Sequence, residues 1–217
     1  MAGRPSTERA ATMAMTTETH PVPSEHNPLA SMPHDTHGGI SNPVLGMLLF
    51  ITSEVMFFGG LFAAYFTLRS EASAWPPPGV ELETAATVIA TIVLIASSGT
   101  MHLATQALHR DDRAATQRWL MVTLALGALF LLNQARELIT LDFGVSSSSY
   151  GSIYYTMTGF HGLHVLAGLF LLAAAAVFVT GNASRERRTA GVEAVAYYWH
   201  FVDVVWVALF LTIFVLR

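Results

Sequence analysis

Tyr197-Tyr198-Trp199-His200-Phe201-Val202-Asp203-Val204-Val205-Trp206-Val207-Ala208-Leu209-Phe210-Leu211 is apolar enough to sit in lipid, yet it holds an imidazole and a carboxylate, His200 and Asp203. An ionisable side chain near the bilayer centre costs roughly 2.5–3.5 kcal/mol on insertion scales, so it faces protein, a headgroup or water rather than acyl chains. On a helix Trp199, Asp203 and Trp206 fall on one stripe with His200 beside it, because residues three, four and seven apart share a face. The stretch reads as a transmembrane helix whose polar stripe packs against other helices.

The rest of the composition agrees. Of 217 residues 53% are hydrophobic and only 12% charged, which is too apolar and too poor in charge for an ordinary soluble domain. With no cysteine, thiolate metal sites, iron–sulfur clusters and disulfides are excluded together. The net charge is -4, and the 11 basic residues are all arginine, scattered or confined to short loops without a basic aromatic stripe, so nucleic acid is not an expected partner. Neither His-Glu-x-x-His nor Gly-x-Ser-x-Gly occurs, which removes the commonest metalloprotease and serine hydrolase readings.

Residues 1–42 carry Pro5, Pro21, Pro23, Pro28 and Pro33 among many Ser and Thr, without an apolar run long enough for a signal-peptide core; they read as a flexible polar tail. His20, His26, His34 and His37 fall in this tail, which offers no fixed scaffold for metal geometry. Residues 43–217 read as one membrane domain of five spans, approximately 43–68, 82–107, 119–141, 153–180 and 192–216, each of bilayer length. Asn42-Pro43 starts the first, with Asn as cap, and Trp75-Pro76-Pro77-Pro78-Gly79 breaks the chain after it. Gly59, Gly60, Ala63 and Ala64 make overlapping small-xxx-small patterns, which predict a close helix neighbour for the first span, and Ala96, Ser97, Ser98 and Gly99 do the same for the second.

The loops after the second and fourth spans hold Arg110, Arg113, Arg118, Arg185, Arg187 and Arg188, whereas the other loops hold almost none. The positive-inside rule then predicts a cytoplasmic amino terminus and a carboxyl terminus outside. The expected fold class is an all-α polytopic membrane protein, a bundle of five transmembrane helices.

Two intramembrane sets invite competing readings. His161 and His164 have the look of a haem ligand pair, but histidines three apart on one helix point the same way and cannot grip opposite faces of one haem; helix-to-helix hydrogen bonds or headgroup contact is the favoured reading. Glu54 reads either as part of a proton relay or as a protonated carboxyl bonded across a helix interface, and Asp203 shares the ambiguity, with His200 and His164 as partners within reach.

In order along the chain, Ser53-Glu54-Val55-Met56-Phe57-Phe58-Gly59, Gln134 with Glu137, Gly159-Phe160-His161-Gly162-Leu163-His164-Val165 and Tyr198-Trp199-His200-Phe201-Val202-Asp203-Val204-Val205-Trp206 resemble subunit III of the haem–copper terminal oxidases, of the cytochrome c oxidase type. Many members have seven helices, of which the first two lean away and enclose lipid in a cleft. This chain is similar to the short five-helix form of several bacteria, and its Trp75-Pro76-Pro77-Pro78 looks actinobacterial.

The resemblance implies an accessory subunit without redox cofactors, packed beside a subunit I that holds haem and copper. With subunit II it would belong to a proton-pumping aa3-type oxidase in a bacterial plasma membrane, with a cytochrome bc supercomplex as a wider partner. It implies bound phospholipid and support for proton uptake and sustained turnover. Carried over residue by residue, Glu54 is the buried glutamate near the lipid, and His161, His164, His200, Asp203 and Trp206 are the inward set that fixes the bundle and meets headgroups. Gln134, Arg136 and Glu137 are structural polar residues; Arg136 departs from the pattern, where an aromatic is usual. No residue is assigned to catalysis or metal binding. The alternatives are subunit III of a quinol oxidase, the related accessory protein of nitric oxide reductases, and a small proton-coupled transporter using Glu54 and Asp203.

Overall fold

The computed structural model describes residues 41–80 and 82–216, so the four histidines of the expected tail lie outside it. All regular structure among the described residues is helical: α1 Asn42–Glu71, α2 Thr84–His109, α3 Arg113–Thr140, α4 Ser149–Thr180 and α5 Arg185–Phe210, the last continued by a π turn, Leu211–Val215. All five are long and apolar enough to cross a membrane.

Local chemistry sets the ends. Ser41, not Asn42, occupies the cap position of α1, and Pro43 sits in the first turn, where its missing N–H is harmless. Asp112 accepts from the amide of Ala115 at 2.9 Å and Ser148 from that of Gly151 at 3.1 Å, each satisfying an otherwise orphaned donor at the start of α3 and α4. The carboxyl end of α5 widens where the carbonyl of Thr212 accepts from the hydroxyl of Tyr65 at 3.2 Å, and Tyr65 accepts in turn from the indole N–H of Trp75 at 2.8 Å. One buried tyrosine thus ties together the end of α1, the loop after it and the end of α5.

Helices α2, α3, α4 and α5 pack in a closed ring in which each touches the next and α5 returns to α2; α1 lies outside the ring, against α4 and α5. Burial follows this order. Within the chain 56% of the most apolar window of the last span is covered, against 11% for α1. Gly59, Gly60, Ala63 and Ala64 are exposed, and a Cβ added at either glycine would meet nothing within 4 Å. The close neighbour expected for that face is therefore not supplied by this chain; the residues that seat α1 are Val44, Phe58 and Tyr65. In α2 the expectation holds for half of the set, since Ser97 and Ser98 face α5 while Ala96 and Gly99 are exposed.

At the centre Trp199 is fully buried between two glycines of other helices, Gly127 on α3 and Gly168 on α4, whose missing side chains make room for the indole. Its N–H donates to the hydroxyl of Ser97 at 3.0 Å, and that of Trp206 to the hydroxyl of Thr91 at 2.9 Å. Both donors, costly to leave unmet in hydrocarbon, are thus answered by α2.

At the end of the bundle where the arginine loops meet, Arg188 is 2% exposed; it donates to Asp111 at 3.0 Å and to the carbonyl of Ala183 at 2.7 Å.

Candidate functional site

Three polar seams run between the helices, and each has a different standing. The first joins α1 to α4. Glu54 sits on the inner edge of α1, and its Oε2 lies 3.0 Å from Nε2 of His164. The other ring nitrogen, Nδ1, lies 2.7 Å from the carbonyl of Phe160. A carbonyl only accepts, so Nδ1 bears a hydrogen, which leaves Nε2 to face the carboxyl. An acid and an imidazole matched across two helices in this way are tolerable within a bilayer. The rings of Phe57 and Phe58 lie against His164, with centroids 6.4 and 5.1 Å away, and Tyr198 donates to the His164 carbonyl at 3.0 Å. The pair is partly open, with side-chain exposures of 19% for Glu54 and 16% for His164.

His161 departs from the expectation that the two histidines point the same way. Three residues span less than a full turn, and here the difference decides their neighbours: His164 meets α1, whereas His161 turns into the ring. It stacks on Trp206 with centroids 5.0 Å apart and meets the edge of Phe130 at 6.1 Å. Its ring nitrogens and both amide atoms of Gln134 on α3 are buried without a hydrogen-bond partner. Haem would need facing ligands, and among the described residues no three His, Asp or Glu side chains converge as a metal site requires.

The second seam lies at the opposite end of the ring from Arg188. Glu137 is 7% exposed and accepts from the hydroxyl of Thr87 on α2 at 3.1 Å and from that of Tyr154 on α4 at 3.2 Å. Adjacent Arg136 points away and is largely exposed, 3.8 Å from Glu83. Thr87 and Tyr154 are the functional neighbours that sequence reasoning missed; hydroxyls are the commonest partners of a buried carboxyl, but one sequence does not say which of many Thr and Tyr come together. Glu137→Leu is expected to be tolerated better than Glu137→Ala, because the alanine leaves two buried hydroxyls beside a void, and thermal unfolding of the two variants in detergent will show the order.

The third seam is the groove between α2 and α5. His200 Nδ1 is 2.7 Å from the hydroxyl of Ser98. Neither His200 nor His164 bonds Asp203, contrary to the sequence expectation: each imidazole is committed elsewhere, to Ser98 and to Glu54, and Asp203 is buried with the Ser98 hydroxyl beside it.

Five apolar helices, each long enough to cross a membrane and joined through buried polar contacts, define a polytopic helical membrane protein. The comparisons carry this further: the family model described as cytochrome c oxidase subunit III matches residues 32–216, and the chain belongs to that family. It is 41% identical over 175 residues to the cytochrome c oxidase subunit 3 of Thermostichus vulcanus, covering 80% of this chain and 87% of the relative. The probable cytochrome c oxidase subunit 3 of Mycobacterium tuberculosis is 43% identical over 181 residues with the same shares, and that of Synechocystis is 41% identical over 190 residues, 85% of this chain and 81% of the relative.

Proposed function

We propose that the chain serves a proton-pumping aa3-type cytochrome c oxidase of a bacterial plasma membrane as its cofactor-free subunit III, with the arginine loops on the cytoplasmic side. It packs beside the subunit that carries haem and copper, with subunit II in the same complex, and a cytochrome bc supercomplex is a wider setting for it. The exposed face of α1 takes phospholipid or the neighbouring subunit, and the Glu54–His164 pair exchanges a proton there in support of proton uptake. Residues 1–42 serve as a polar tail preceding the membrane domain.

One observation carries this reading: a carboxyl–imidazole pair 3.0 Å apart stands at the edge of a helix whose small-residue face is left uncovered by the rest of the chain. The relatives' names, all of the cytochrome c type, favour that donor over quinol. A transporter reading would need a midplane site of broken helices, and the described spans are continuous.

The purified complex tests it. Glu54→Ala is expected to assemble with the other subunits and to begin oxidising cytochrome c at the normal rate, but to lose activity severalfold sooner during turnover; Glu54→Gln, which keeps a hydrogen bond but not the acid, is expected to behave like the alanine. An unchanged working lifetime in both would reduce the pair to a packing contact, and a stoichiometric haem spectrum from the chain purified alone would overturn the assignment as a whole.

A further inference from the structure

The α2/α5 groove holds a second set of titratable groups that the Glu54–His164 pair does not touch. Two cavities lie along it. One, of about 250 Å³, is lined by His102, Thr105 and His109 of α2 and by Glu193, Tyr197 and His200 of α5. The next, of about 420 Å³, is lined by Ser98, His200 and Asp203 among apolar neighbours. His200 belongs to both walls, so its imidazole is the group that stands between the two cavities.

The two helices present these residues in register. On α5, Glu193, Tyr197, His200 and Asp203 follow at spacings of four, three and three, one face of a helix; on α2, His109, Thr105, His102 and Ser98 follow at four, three and four. From Glu193 to Asp203 the rise is about 15 Å. The open end is at the arginine loops, where Arg185 donates to the carbonyl of His109 at 3.0 Å. There His109 Nε2 lies 3.6 Å from Glu193, His102 exchanges a hydrogen bond with Gln106 at 3.0 Å, and His200 is held by Ser98. The inner end is Asp203, 6% exposed, with the Ser98 hydroxyl beside its carboxyl.

A buried carboxyl answered only by a neutral hydroxyl is expensive, and at the end of a row of imidazoles it has one ready remedy, which is to take up a proton. Among the described residues no cationic side chain offsets it. Glu54 and His164, on the helices packed against the other side of α5, are matched to each other, and His161 is stacked beneath Trp206. No cation faces Asp203 from α2, where Ile95 and Ser98 are its neighbours in the cavity wall.

We propose that the α2/α5 groove is a proton inlet that connects the arginine-bearing end of the bundle with Asp203 by way of His109, Glu193, His102 and His200. A proton taken from water at the mouth neutralises the Asp203 carboxylate and returns by the same route, so Asp203 is a reversible store and nothing is consumed. An imidazole accepts on one nitrogen and releases from the other, which suits His102 and His200 to the middle of the path.

Infrared difference spectroscopy of the full-length chain, in whatever complex it purifies with, tests the inlet independently of its role in an oxidase. A protonated-carboxyl stretching band is expected to appear as pH falls, to shift on transfer to deuterated water, and to vanish in Asp203→Asn. His102→Phe combined with His200→Asn, the asparagine keeping a polar group near Ser98, is expected to retain the band and slow its isotope shift by about a hundredfold, the low end of what a positioned proton-transfer group contributes. At the solvent-exposed mouth, Glu193→Gln with His109→Gln is expected to slow it too without disturbing the core. A spectrum in which Asp203→Asn removes no titrating band, or a shift equally fast in both histidine-depleted variants, overturns the proposal.

Discussion

Gly127→Leu is expected to prevent the bundle from closing, giving a chain that aggregates or melts far below the unaltered protein in detergent. A Cβ at that position would overlap the far edge of the Trp199 indole, and the side chain of Leu169 blocks the remaining space at 2.9 Å. Trp199 cannot retreat, because Gly168 on the opposite side already admits its ring so closely that a Cβ there would stand 2.9 Å from it, and its N–H is fixed to Ser97. Overpacking a core with a flexible side chain typically costs about 1–3 kcal/mol, and a rigid ring held on three sides takes the cost to the top of that range or beyond. Trp199→Ala alone should cost about 3–5 kcal/mol, since helix association in lipid rests on van der Waals packing rather than on expulsion of water. The two changes act on one volume, so Gly127→Leu with Trp199→Ala is expected to melt above Gly127→Leu alone. Additive losses in the double variant would show that the glycine is not there for the indole.

That clamp illustrates what one sequence does and does not disclose. Five apolar runs broken by Trp75-Pro76-Pro77-Pro78, by the arginine loops and by the Ser146–Ser149 turn gave the helices, because a bilayer leaves the backbone few other ways to satisfy itself. That Trp199, Asp203 and Trp206 turn inward followed from helical period and the expense of polarity in lipid, and all three are buried. Pairing was not legible. Glu54 finds His164 across 110 positions of chain and Glu137 finds Thr87 across 50, and no local spacing encodes either. At α1 the small residues left the identity of the neighbour open for a physical reason: small-xxx-small permits a close approach but does not say whether the approaching surface belongs to the same chain. Gly127 and Gly168 make a contact of another kind, because their partner is one large ring rather than a helix backbone.

The arginine-bearing end yields an asymmetry that distinguishes a buried charge from an exposed one. Asp111→Gly is expected to lower stability by about 1–3 kcal/mol, whereas Arg188→Met should cost less than about 1 kcal/mol. Side-chain exposure is 3% for Arg188 and 49% for Asp111, so deleting the aspartate leaves a guanidinium shut away with only the Ala183 carbonyl, while deleting the arginine merely returns a carboxylate to water. Breaking a pair buried on both sides costs about 3–5 kcal/mol, and the half-exposure of Asp111 is what brings the figure down. Glycine is the informative replacement at residue 111 because φ there is +59°, a conformation glycine adopts freely, so the backbone contributes no penalty of its own. Since Arg188 joins the α2–α3 turn to the start of α5, the loss should appear first as proteolytic nicking in that turn, then as a lower melting temperature. Equal losses in the two variants would mean that the contact holds the turns together by hydrogen bonding alone, with burial of the charge playing no part.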